Sequence, residues 1–467
     1  MSDPIRFILN GEPVEANCRA DKTVLEWLRG DAQLRGTKEG CAEGDCGACS
    51  VLLCRDGEGR NPQYEPANSC ILLMGQIDGA ALTTIEGLAA MGEGGHAVQQ
   101  EMALNGSSQC GFCTPGIAVS LAGLLARKSE PMDADIHDAL AGNLCRCTGY
   151  RPIVEAAQAA AATRSAMPTP KLPGPQNHSG NQGSGMFAPR SLKELGRLLA
   201  KHKDAMLLAG GTDLNIDVAH ARARWPNVIS TRHVAELRKI KKSRDQIEFG
   251  GAVTWQEALP HLEKDWPSFA TLVRRFGSVQ IRSMGTMAGN LATASPIGDG
   301  APALLALGAQ LVLASRKGER EIPLDKFFVD YRKSALKRDE IIRAIRVPHP
   351  AKGQEFRVYK ISKRYDQDIS TVCGAFSITR SRGVVTGCRI AYGGMAATPL
   401  RCTEAEIALI GTRLEEADIQ AASAAVQEFY KPLTDMRGSA DYRLLVAGNL
   451  VERFPRDLAG ERVEVMA

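Results

Sequence analysis

The sequence has no long apolar segment, and this absence excludes an ordinary membrane-spanning helix. Its densest apolar stretch, residues 303–314, falls well short of the roughly 18 to 20 residues that a helical span needs. Residues 1–10 carry neither the basic start nor the apolar run of a secretory signal. We therefore expect a cytoplasmic protein.

The sequence is also poor in the features that mark nucleic-acid and nucleotide-binding proteins. Aromatic residues make up only 5%, and no cluster of lysine and arginine is interleaved with them, so a nucleic-acid interface is not predicted. There is no P-loop, and the loose G-x-G-x-x-A match at residues 92–97 follows no predicted strand. Charge is instead divided unevenly: residues 1–165 hold 13 basic and 21 acidic side chains, and the remaining residues hold 44 and 32.

Cysteine, in contrast, is abundant, with 13 residues. In a compartment that keeps thiols reduced, this number favours metal or redox chemistry over disulfides. Eight of the cysteines form two groups that precede residues 166–185, a stretch with four prolines, four glycines and one charged side chain. We interpret this stretch as an extended linker.

Hydrophobic periodicity predicts a β-rich start, a helical middle and a mixed remainder. Strands are expected at residues 5–9, 50–53, 206–209, 247–249, 311–314 and 341–347, and a hairpin at residues 372–392. Helices are expected at residues 23–34, from 114 onward, at 136–140, from 152 to 164, within 404–430 and at 441–454. Thr114 and Pro115 indicate a helix start with a hydroxyl N-cap and proline at the first helical position.

The first cysteine group has the spacing C-x4-C-x2-C and a distant fourth cysteine. Its members are Cys41, Cys46, Cys49 and Cys70. This is the spacing of plant-type 2Fe-2S proteins. Gly40, Gly44 and Gly47 permit unusual backbone angles in such a loop and let amide N–H groups approach the sulfurs. A four-cysteine zinc site and free buried thiols are the alternatives, although zinc sites generally pair shorter C-x2-4-C steps.

The second cysteine group lies at two predicted helix ends. It comprises Cys110, Cys113, Cys145 and Cys147. Cys113 directly precedes the Thr-Pro helix start, where the positive end of the helix dipole is expected to lower the pKa of a thiol and to favour an anionic centre. Neither group contains a C-x-H pairing, so a Rieske centre is not predicted. On spacing alone, zinc is an open alternative here as well.

Both cysteine groups, in this order and with their flanking residues, resemble the iron–sulfur region of the molybdenum hydroxylases. The resemblance rests on GCAEGDCGAC at residues 40–49, QCGFCTPG at 109–116 and NLCRCTGY at 143–150. It implies an α+β multidomain protein with a β-grasp 2Fe-2S ferredoxin domain at residues 1–85 and a four-helix 2Fe-2S domain at residues 86–165. It also implies that all eight cysteines are cluster ligands, that the second centre lies next to a molybdopterin cofactor, and that Gln109 contacts the pterin.

Two segments rich in glycine and small side chains follow the linker. Residues 206–214, MLLAGGTDL, predict an apolar strand that enters a Gly-Gly-Thr turn, and the backbone N–H groups of such a turn suit a diphosphate. Residues 285–300 are too polar for a core and too regular in their glycines for a linker. Taken alone, each segment is as readily explained as an ordinary turn.

Both segments resemble the FAD-binding domain of the same family, which is shared with vanillyl-alcohol-oxidase-type flavoproteins. The resemblance implies an FAD-binding domain at residues 186–352 and a CO-dehydrogenase-flavoprotein-like C-terminal α+β domain at residues 355–463. It assigns the FAD diphosphate to Leu207, Leu208, Ala209, Gly210, Gly211, Thr212, Asp213 and Leu214. It assigns the isoalloxazine to Phe276, and the rest of the site to Thr286, Asn290, Thr293, Ser295, Asp299, Ile342 and Lys360. Residues 363–368 resemble the loop that lies close to the flavin ring.

As a whole, the chain is similar to the small subunits of bacterial two-subunit xanthine dehydrogenases. This similarity implies that the molybdopterin domain, with the catalytic glutamate, is a separate large subunit in a heterotetramer or larger assembly. It implies electron transfer from molybdenum through two 2Fe-2S centres and FAD to NAD+, in the oxidation of hypoxanthine to xanthine and of xanthine to urate. The alternatives are the same subunit of an aldehyde- or N-heterocycle-oxidising molybdenum hydroxylase and a zinc-stabilised scaffold without redox activity. No function is assigned to Cys18, Cys54, Cys373, Cys388 and Cys402.

Overall fold

The computed structural model describes residues 4–57, 60–163, 167–174, 178–181 and 184–461. The chain divides into two compact units, namely Met1–Ala235 with Gly277–Gly285, and Glu236–Phe276 with Thr286–Ala467. In the described ranges, no helix is both long and apolar enough to cross a bilayer. Helices and strands occur in both units, so the predicted α+β class is confirmed.

The first unit begins with a five-stranded sheet. Its strands are β1 (Ile5–Leu9), β2 (Glu12–Ala16), β3 (Ser50–Gly57), β4 (Arg60–Asn68) and β5 (Ala81–Thr83), in the order β2-β1-β5-β3-β4. β1 and β5 run parallel and the other neighbours antiparallel, as in a β-grasp sheet.

Helix α1 (Val24–Gly30) packs on this sheet through its apolar side. Thr23 and Glu26 form a capping box at its start, and the buried Trp27 meets Phe7 of β1 edge to face at 5.4 Å between ring centroids. The helix ends at Gly30, so the predicted helix over residues 23–34 is too long. Gln33 has a left-handed backbone (φ +56°), which no helix can continue through.

A group of helices follows the sheet, as the periodicity predicts. It consists of α2 (Ile85–Ala89), α3 (Ala97–Leu104), α4 (Thr114–Arg127), α5 (Asp133–Leu140) and α6 (Arg151–Thr163). α4 is the most deeply buried of these helices, and Gly123 lets its backbone approach the side chain of Leu52 in β3. Pro115 lies in its first turn as expected, but the N-cap residue is Cys113 rather than Thr114. The Thr114 hydroxyl does not cap the helix and instead pairs with the Ser108 hydroxyl at 2.8 Å.

The rest of the first unit is a second, four-stranded sheet with two helices. Its strands are β6 (His178–Asn181), β7 (Ser184–Phe187), β8 (Met206–Leu208) and β9 (Asn227–Ser230), in the order β6-β7-β9-β8, and its helices are α7 (Leu192–Lys201) and α8 (Leu214–Ala219). β6 and the start of β7 fall within the stretch interpreted as an extended linker, where the sequence predicts no strand. Strand pairing uses backbone groups and therefore does not need the apolar side chains that this stretch lacks. Residues 166, 175–177, 182 and 183 of the predicted linker lie outside the described residues.

The second unit contains an antiparallel five-stranded sheet. Its strands are β10 (Ile240–Lys242), β11 (Gln246–Gly250), β12 (Gln310–Ser315), β13 (Gly318–Pro323) and β16 (Ile341–Pro348). A separate short hairpin, β14 (Phe328–Asp330) with β15 (Lys333–Ser334), precedes β16 in the chain. The order is β10-β11-β16-β12-β13, so the three strands predicted in this region are confirmed.

Four helices accompany this sheet in the second unit. They are α9 (Trp255–Asp265), α10 (Pro267–Phe276), α12 (Met287–Ala292) and α13 (Gly300–Ala306). Between α10 and α12 the chain passes into the first unit, where it forms the single helical turn α11 (Val279–Arg282). Trp255 is buried beside Phe269 and Phe276, with ring centroids 6.0 and 5.0 Å away. These rings belong to the main apolar core of the unit.

The C-terminal part of the second unit combines a four-stranded antiparallel sheet with three helices. These elements are β17 (Gln354–Ile361), β18 (Val372–Ser381), β19 (Val384–Gly393), β20 (Leu400–Arg401), α14 (Thr403–Leu409), α15 (Glu416–Phe429) and α16 (Ala440–Leu458). The predicted hairpin is confirmed, and positive φ angles at Arg382 and Gly383 form its tight turn. The predicted helical region 404–430 is two helices, because the chain turns at Gly411 (φ +86°).

The buried α14 helix offers a direct test of the C-terminal core. Leu409 is 2% exposed in that core, whereas Leu433 is 82% exposed. We expect Leu409→Ala to destabilise this region by about 2–5 kcal/mol, because the cavity adds to the lost apolar burial. We expect Leu433→Ala to change the stability by no more than about 0.5 kcal/mol. Hydrogen exchange of the β18 and β19 amides in urea measures both, and equal protection in the two variants would contradict this core assignment.

Candidate functional site

The first cysteine group lies in the loop between α1 and β3, and its fourth member lies in the short helical turn Ser69–Ile71. The four thiols meet in two pairs. Cys49 and Cys70 are 3.3 Å apart at their Sγ atoms and are both buried. The Cys41 and Cys46 thiols are hydrogen-bonded to each other.

Backbone amides surround the Cys41 sulfur. The N–H groups of Glu43, Asp45 and Cys46 donate to it over 3.3–3.4 Å. The hydrogen bond with the Cys46 thiol, together with these amides, lowers the pKa of Cys41 to about 4 against the opposing effect of burial. A thiolate is therefore stabilised here, as a metal-ligating cysteine requires.

Two positions in this loop have no space for a side chain and are occupied by glycine. A Cβ on Gly40 would lie 2.7 Å from the Cys46 sulfur. Gly47 has φ +67°, and a Cβ there would lie 2.0 Å from the Gly142 carbonyl oxygen. The glycines thus serve two purposes, close approach to sulfur and close approach to a neighbouring loop.

The second cysteine group also forms two thiol pairs. Cys113 pairs with Cys145, and Cys110 pairs with Cys147. Cys110 and Cys147 are exposed, as is Gln109, so this site is more open than the first. The expected depression of the Cys113 pKa by the helix dipole is not found. Burial and the neighbouring Cys145 raise the pKa of Cys113 to about 12, because at this N-cap they outweigh the helix dipole.

The two metal centres that the spacing leaves open differ in how they arrange four thiolates. A structural zinc ion draws four thiolates around one point, whereas a 2Fe-2S centre holds two thiolates on each of two irons. In the described ranges, no group of three or more histidine, cysteine or acidic side chains is close enough to hold a single ion. The four thiols of each site fit the donor set of a two-iron centre, which takes two thiolates on each iron.

The two cysteine sites are joined through their backbones. The N–H of Leu144, next to Cys145, donates to the carbonyl oxygen of Cys46 at 3.0 Å. The Tyr150 hydroxyl accepts from the N–H of Cys145 at 2.7 Å and donates to the carbonyl oxygen of Asn143 at 2.8 Å. The sequence contains no sign of the contact between Leu144 and Cys46, because these residues are about a hundred positions apart.

The other five cysteines are not part of either site. All are buried, and they are Cys18, Cys54, Cys373, Cys388 and Cys402. Burial raises the pKa of Cys18 and of Cys402 to about 11 and that of Cys388 to about 12. Such thiols stay protonated near neutral pH and are unreactive core residues.

The predicted diphosphate turn lies in the first unit, between β8 and α8. Gly211 has φ +82°, and a Cβ on Gly210 would lie 2.1 Å from the Met284 carbonyl oxygen. The side chain of the buried Asn215 donates to Ile71 O and Gln76 Oε1, which ties the start of α8 to the first cysteine region. Of the residues predicted to bind the diphosphate, Leu207 and Leu208 belong to β8 and Leu214 begins α8, and the turn itself consists of Ala209, Gly210, Gly211, Thr212 and Asp213.

The remaining predicted flavin contacts lie in the second unit. Lys360 and Asp299 form a buried ion pair of 2.6 Å, and Lys360 also donates to the Ser370 hydroxyl at 3.0 Å. Asp299 Oδ1 and Asn290 Oδ1 are buried and have no hydrogen-bond partner among the described residues. Two such acceptors fit the N–H and O–H donors of a flavin cofactor, since orphaned buried acceptors are rare without a ligand or water.

Other predicted contacts in this unit already have structural functions. The Thr286 hydroxyl caps α12 by accepting from Gly289 N, and the Thr293 hydroxyl donates to Gly289 O. Ser295 accepts weakly from Ile297 N at 3.4 Å. Ile342 is a buried core residue of β16. Some of the hydroxyl side chains in residues 285–300, which resemble cofactor contacts, therefore form hydrogen bonds within α12 and at its start.

The loop predicted to lie near the flavin ring is held by α10. The Arg275 guanidinium stacks over the Tyr365 ring at 4.2 Å and donates to the Tyr365 carbonyl, and Gln367 N donates to Arg275 O. Arg275 directly precedes Phe276, the residue predicted to pack on the isoalloxazine. This loop and Phe276 are therefore attached to the same helix end.

Family models match nearly the whole chain in four parts. Residues 7–74 match a 2Fe-2S iron–sulfur cluster binding domain, and residues 84–158 match a second 2Fe-2S binding domain. Residues 181–350 match the FAD binding domain in molybdopterin dehydrogenase, and residues 357–458 match the CO dehydrogenase flavoprotein C-terminal domain.

Several curated relatives of this chain are xanthine dehydrogenases. The enzyme of Emericella nidulans is 31% identical over 98% of this chain and 39% of its own length. Xanthine dehydrogenase/oxidase of Gallus gallus is 30% identical over 85% of this chain and 36% of its own length. The chain thus spans less than half the length of these relatives.

Solved structures of two further enzymes resemble part of this chain. Carbon monoxide dehydrogenase from Hydrogenophaga pseudoflava has a TM-score of 0.55 and 31% identity, over 57% of this chain and 94% of that one. Quinoline 2-oxidoreductase from Pseudomonas putida 86 has a TM-score of 0.54 and 26% identity, over 59% of this chain and 96% of that one.

The buried Lys360–Asp299 pair can be tested by removing one partner. We expect Asp299→Ala to destabilise the second unit by about 3–5 kcal/mol, because Lys360 becomes an uncompensated buried charge. The double variant Asp299→Ala/Lys360→Met should recover much of this loss. Asp330→Ala removes the exposed pair with Lys333 and should cost at most about 1 kcal/mol. Thermal unfolding of the purified chains measures all three, and a double variant as unstable as Asp299→Ala would contradict the ion-pair argument.

Proposed function

Because the chain belongs to the molybdenum hydroxylase family, we propose that it is the electron-transfer subunit of a xanthine dehydrogenase. In this proposal Cys41, Cys46, Cys49 and Cys70 hold one 2Fe-2S centre, and Cys110, Cys113, Cys145 and Cys147 hold the other. When bound, these centres and FAD would carry electrons from a molybdenum cofactor to NAD+. The substrates would be hypoxanthine and xanthine.

The main structural support for this proposal is that the eight cysteine thiols lie at two sites that are directly connected. Each site offers two pairs of cysteine thiols, which is the ligand arrangement of a two-iron centre. The hydrogen bond from Leu144 N to Cys46 O links a residue adjoining one ligand set to a member of the other. A short covalent and hydrogen-bonded connection of this kind supports electron exchange between the two sites.

The flavin assignment rests on the second unit. The orphaned acceptors of Asn290 and Asp299 fit a ligand with N–H and O–H donors, and Lys360 holds the Asp299 carboxylate in place. Phe276 offers an aromatic ring at the end of α10. We assign FAD to these residues together with Thr286, Thr293, Ser295 and Ile342. Diphosphate binding by residues 207–214 stays a prediction from the sequence.

A separate partner subunit would supply the molybdopterin cofactor and the catalytic glutamate. The exposure of Cys110 and Cys147, with Phe112 and Leu144 beside them at 49% and 44%, supports docking of a partner over the second cysteine site. Gln109 is exposed at the same place, consistent with contact to the pterin. The assembly would be a heterotetramer or larger and cytoplasmic, where thiols are kept reduced.

A different molybdenum hydroxylase is the second candidate. The likeness to carbon monoxide dehydrogenase and quinoline 2-oxidoreductase covers almost the whole of those chains, which favours a flavin-bearing subunit without choosing the substrate. Xanthine dehydrogenase is preferred because the Emericella nidulans enzyme matches 98% of this chain, an extent that must include both cysteine sites.

Metal and flavin analysis tests the cofactor assignment. We expect about four iron atoms and one FAD per purified chain, with no zinc, since each 2Fe-2S centre contains two irons. Cys70→Ser should remove about half of the iron, because it eliminates one ligand of one centre. Cys402→Ser, a buried cysteine outside both sites, is the matched control and should leave the iron content unchanged. Stoichiometric zinc in place of iron would refute the redox assignment.

Assays of the chain with its partner subunit test the activity. In the complex, Cys113→Ser should retain FAD but lose NADH formation, because the electron path is interrupted between molybdenum and flavin, and urate should form only when an added artificial electron acceptor reoxidises the molybdenum centre. A normal yield of NADH per urate in this variant would contradict the path. Oxidation of carbon monoxide, an aldehyde or an N-heterocycle in place of xanthine by the unmodified complex would favour the second candidate.

A further inference from the structure

The segment Gly277–Gly285 is unusual because it belongs to the first unit although its flanking residues belong to the second. We call it the inserted segment. The chain enters it directly after Phe276 and leaves it before Thr286. Its single helical turn, α11, begins with Ser278 as the N-cap residue.

Gln280 of the inserted segment is buried among polar groups of the first unit, with 1% of its surface exposed. Its side-chain amide nitrogen lies 3.1 Å from the Ser50 hydroxyl, 3.0 Å from the Ser120 hydroxyl and 3.0 Å from Asn143 Oδ1. Ser50 directly follows Cys49, Ser120 lies in the helix that starts after Cys113, and Asn143 lies two residues before Cys145. One amide therefore contacts the chain next to both cysteine sites.

Asn143 extends this contact to the loop of the first site. Its amide nitrogen donates to Gly47 O at 3.0 Å and lies 3.4 Å from the Ser50 hydroxyl. Its own carbonyl accepts from the Tyr150 hydroxyl. Gln280 and Asn143 thus form a continuous buried hydrogen-bond network between residues that adjoin cluster ligands on both sides.

A second anchor holds the inserted segment in place. Arg282 is fully buried, its guanidinium pairs with Asp138 of α5 at 2.5 Å, and it donates to Gly277 O at 2.7 Å. Gly142 leaves the space for Gln280, since a Cβ there would lie 2.2 Å from Gln280 Oε1. The position of Gln280 is therefore determined from two sides.

Gln280 is not the side chain that stability alone would favour. Its Oε1 atom is buried without a hydrogen-bond partner among the described residues, which is costly compared with an apolar side chain of the same size. Because Gln280 lies between the two cysteine sites and only its amide nitrogen is hydrogen-bonded in the described part of the chain, we infer that it holds neighbouring residues in position rather than stabilising the core by burial.

We propose that Gln280 is a positioning residue that sets the geometry between the two iron–sulfur centres by hydrogen-bonding Asn143, Ser50 and Ser120. This inference rests on the proposed function, because it requires both centres. Without the Gln280 amide, Asn143 loses one of its partners, and the 143–147 loop can shift relative to the loop of the first site. The distance and relative orientation of the two centres change, while the ligands themselves remain.

The test compares Gln280→Leu and Gln280→Glu with Gln420→Leu in the full chain. Leucine removes every hydrogen bond of the side chain, and glutamate keeps its length but loses the amide donor. Gln420 is an exposed residue of α15 and provides the same substitution away from both sites. Iron and FAD content are measured first, followed by low-temperature EPR of the dithionite-reduced chains.

Both Gln280 variants should retain iron and FAD but show a changed magnetic splitting between the two reduced centres and a shifted midpoint potential for at least one. Gln420→Leu should match the wild type in every measurement. Wild-type splitting and potentials in iron-replete Gln280 variants would overturn the inference. Loss of iron from both Gln280 variants, but not from Gln420→Leu, would also overturn it and indicate a function in assembly. A wild-type chain without iron would instead show that the proposed function fails.

Discussion

Gly47 lies where the loop of the first cysteine site meets the turn that leads to the second. Its positive φ and the 2.0 Å approach that a Cβ would make to Gly142 O leave no room for another residue. Next to this contact, Leu144 N donates to Cys46 O. Since packed interiors do not absorb overlaps of this size, the positions of β3, α4 and the Cys145 turn all depend on this one approach.

The two sites that meet there differ in burial and in the state of their thiols. Cys49 and Cys70 lie in the interior, whereas Cys110 and Cys147 lie at the surface. The hydrogen bond with Cys46, together with backbone amides, lowers the pKa of Cys41, whereas burial and the neighbouring Cys145 raise that of Cys113. Metal binding at either site must release protons, because a neighbouring thiol and burial raise the pKa of Cys46 and Cys70 at the first site and of Cys113 at the second.

In the proposed flavin site of the second unit, hydroxyl side chains that resemble cofactor contacts also stabilise the local fold. Threonine hydroxyls that resemble cofactor contacts also cap or close a short helix, as Thr286 and Thr293 do. The acceptors left without partners, on Asn290 and Asp299, distinguish a ligand site from an ordinary turn. The buried Lys360 ammonium pairs with the Asp299 carboxylate and orients it, so the pair is both part of the fold and part of the proposed site.

Local patterns were sufficient to predict the two cysteine groups, the β-grasp strand β1, the Pro115 helix start and the β18–β19 hairpin. Spacing, alternation and turn residues act over a few positions, so a sequence expresses them directly. The strands within the supposed linker were missed, because backbone pairing leaves no apolar pattern. The approach of Gly47 to Gly142, the raised pKa of Cys113 and the burial of Gln280 beside Asn143 were decided only by tertiary structure. Each depends on residues far apart in the chain, whose distance is set by packing and not by any local preference.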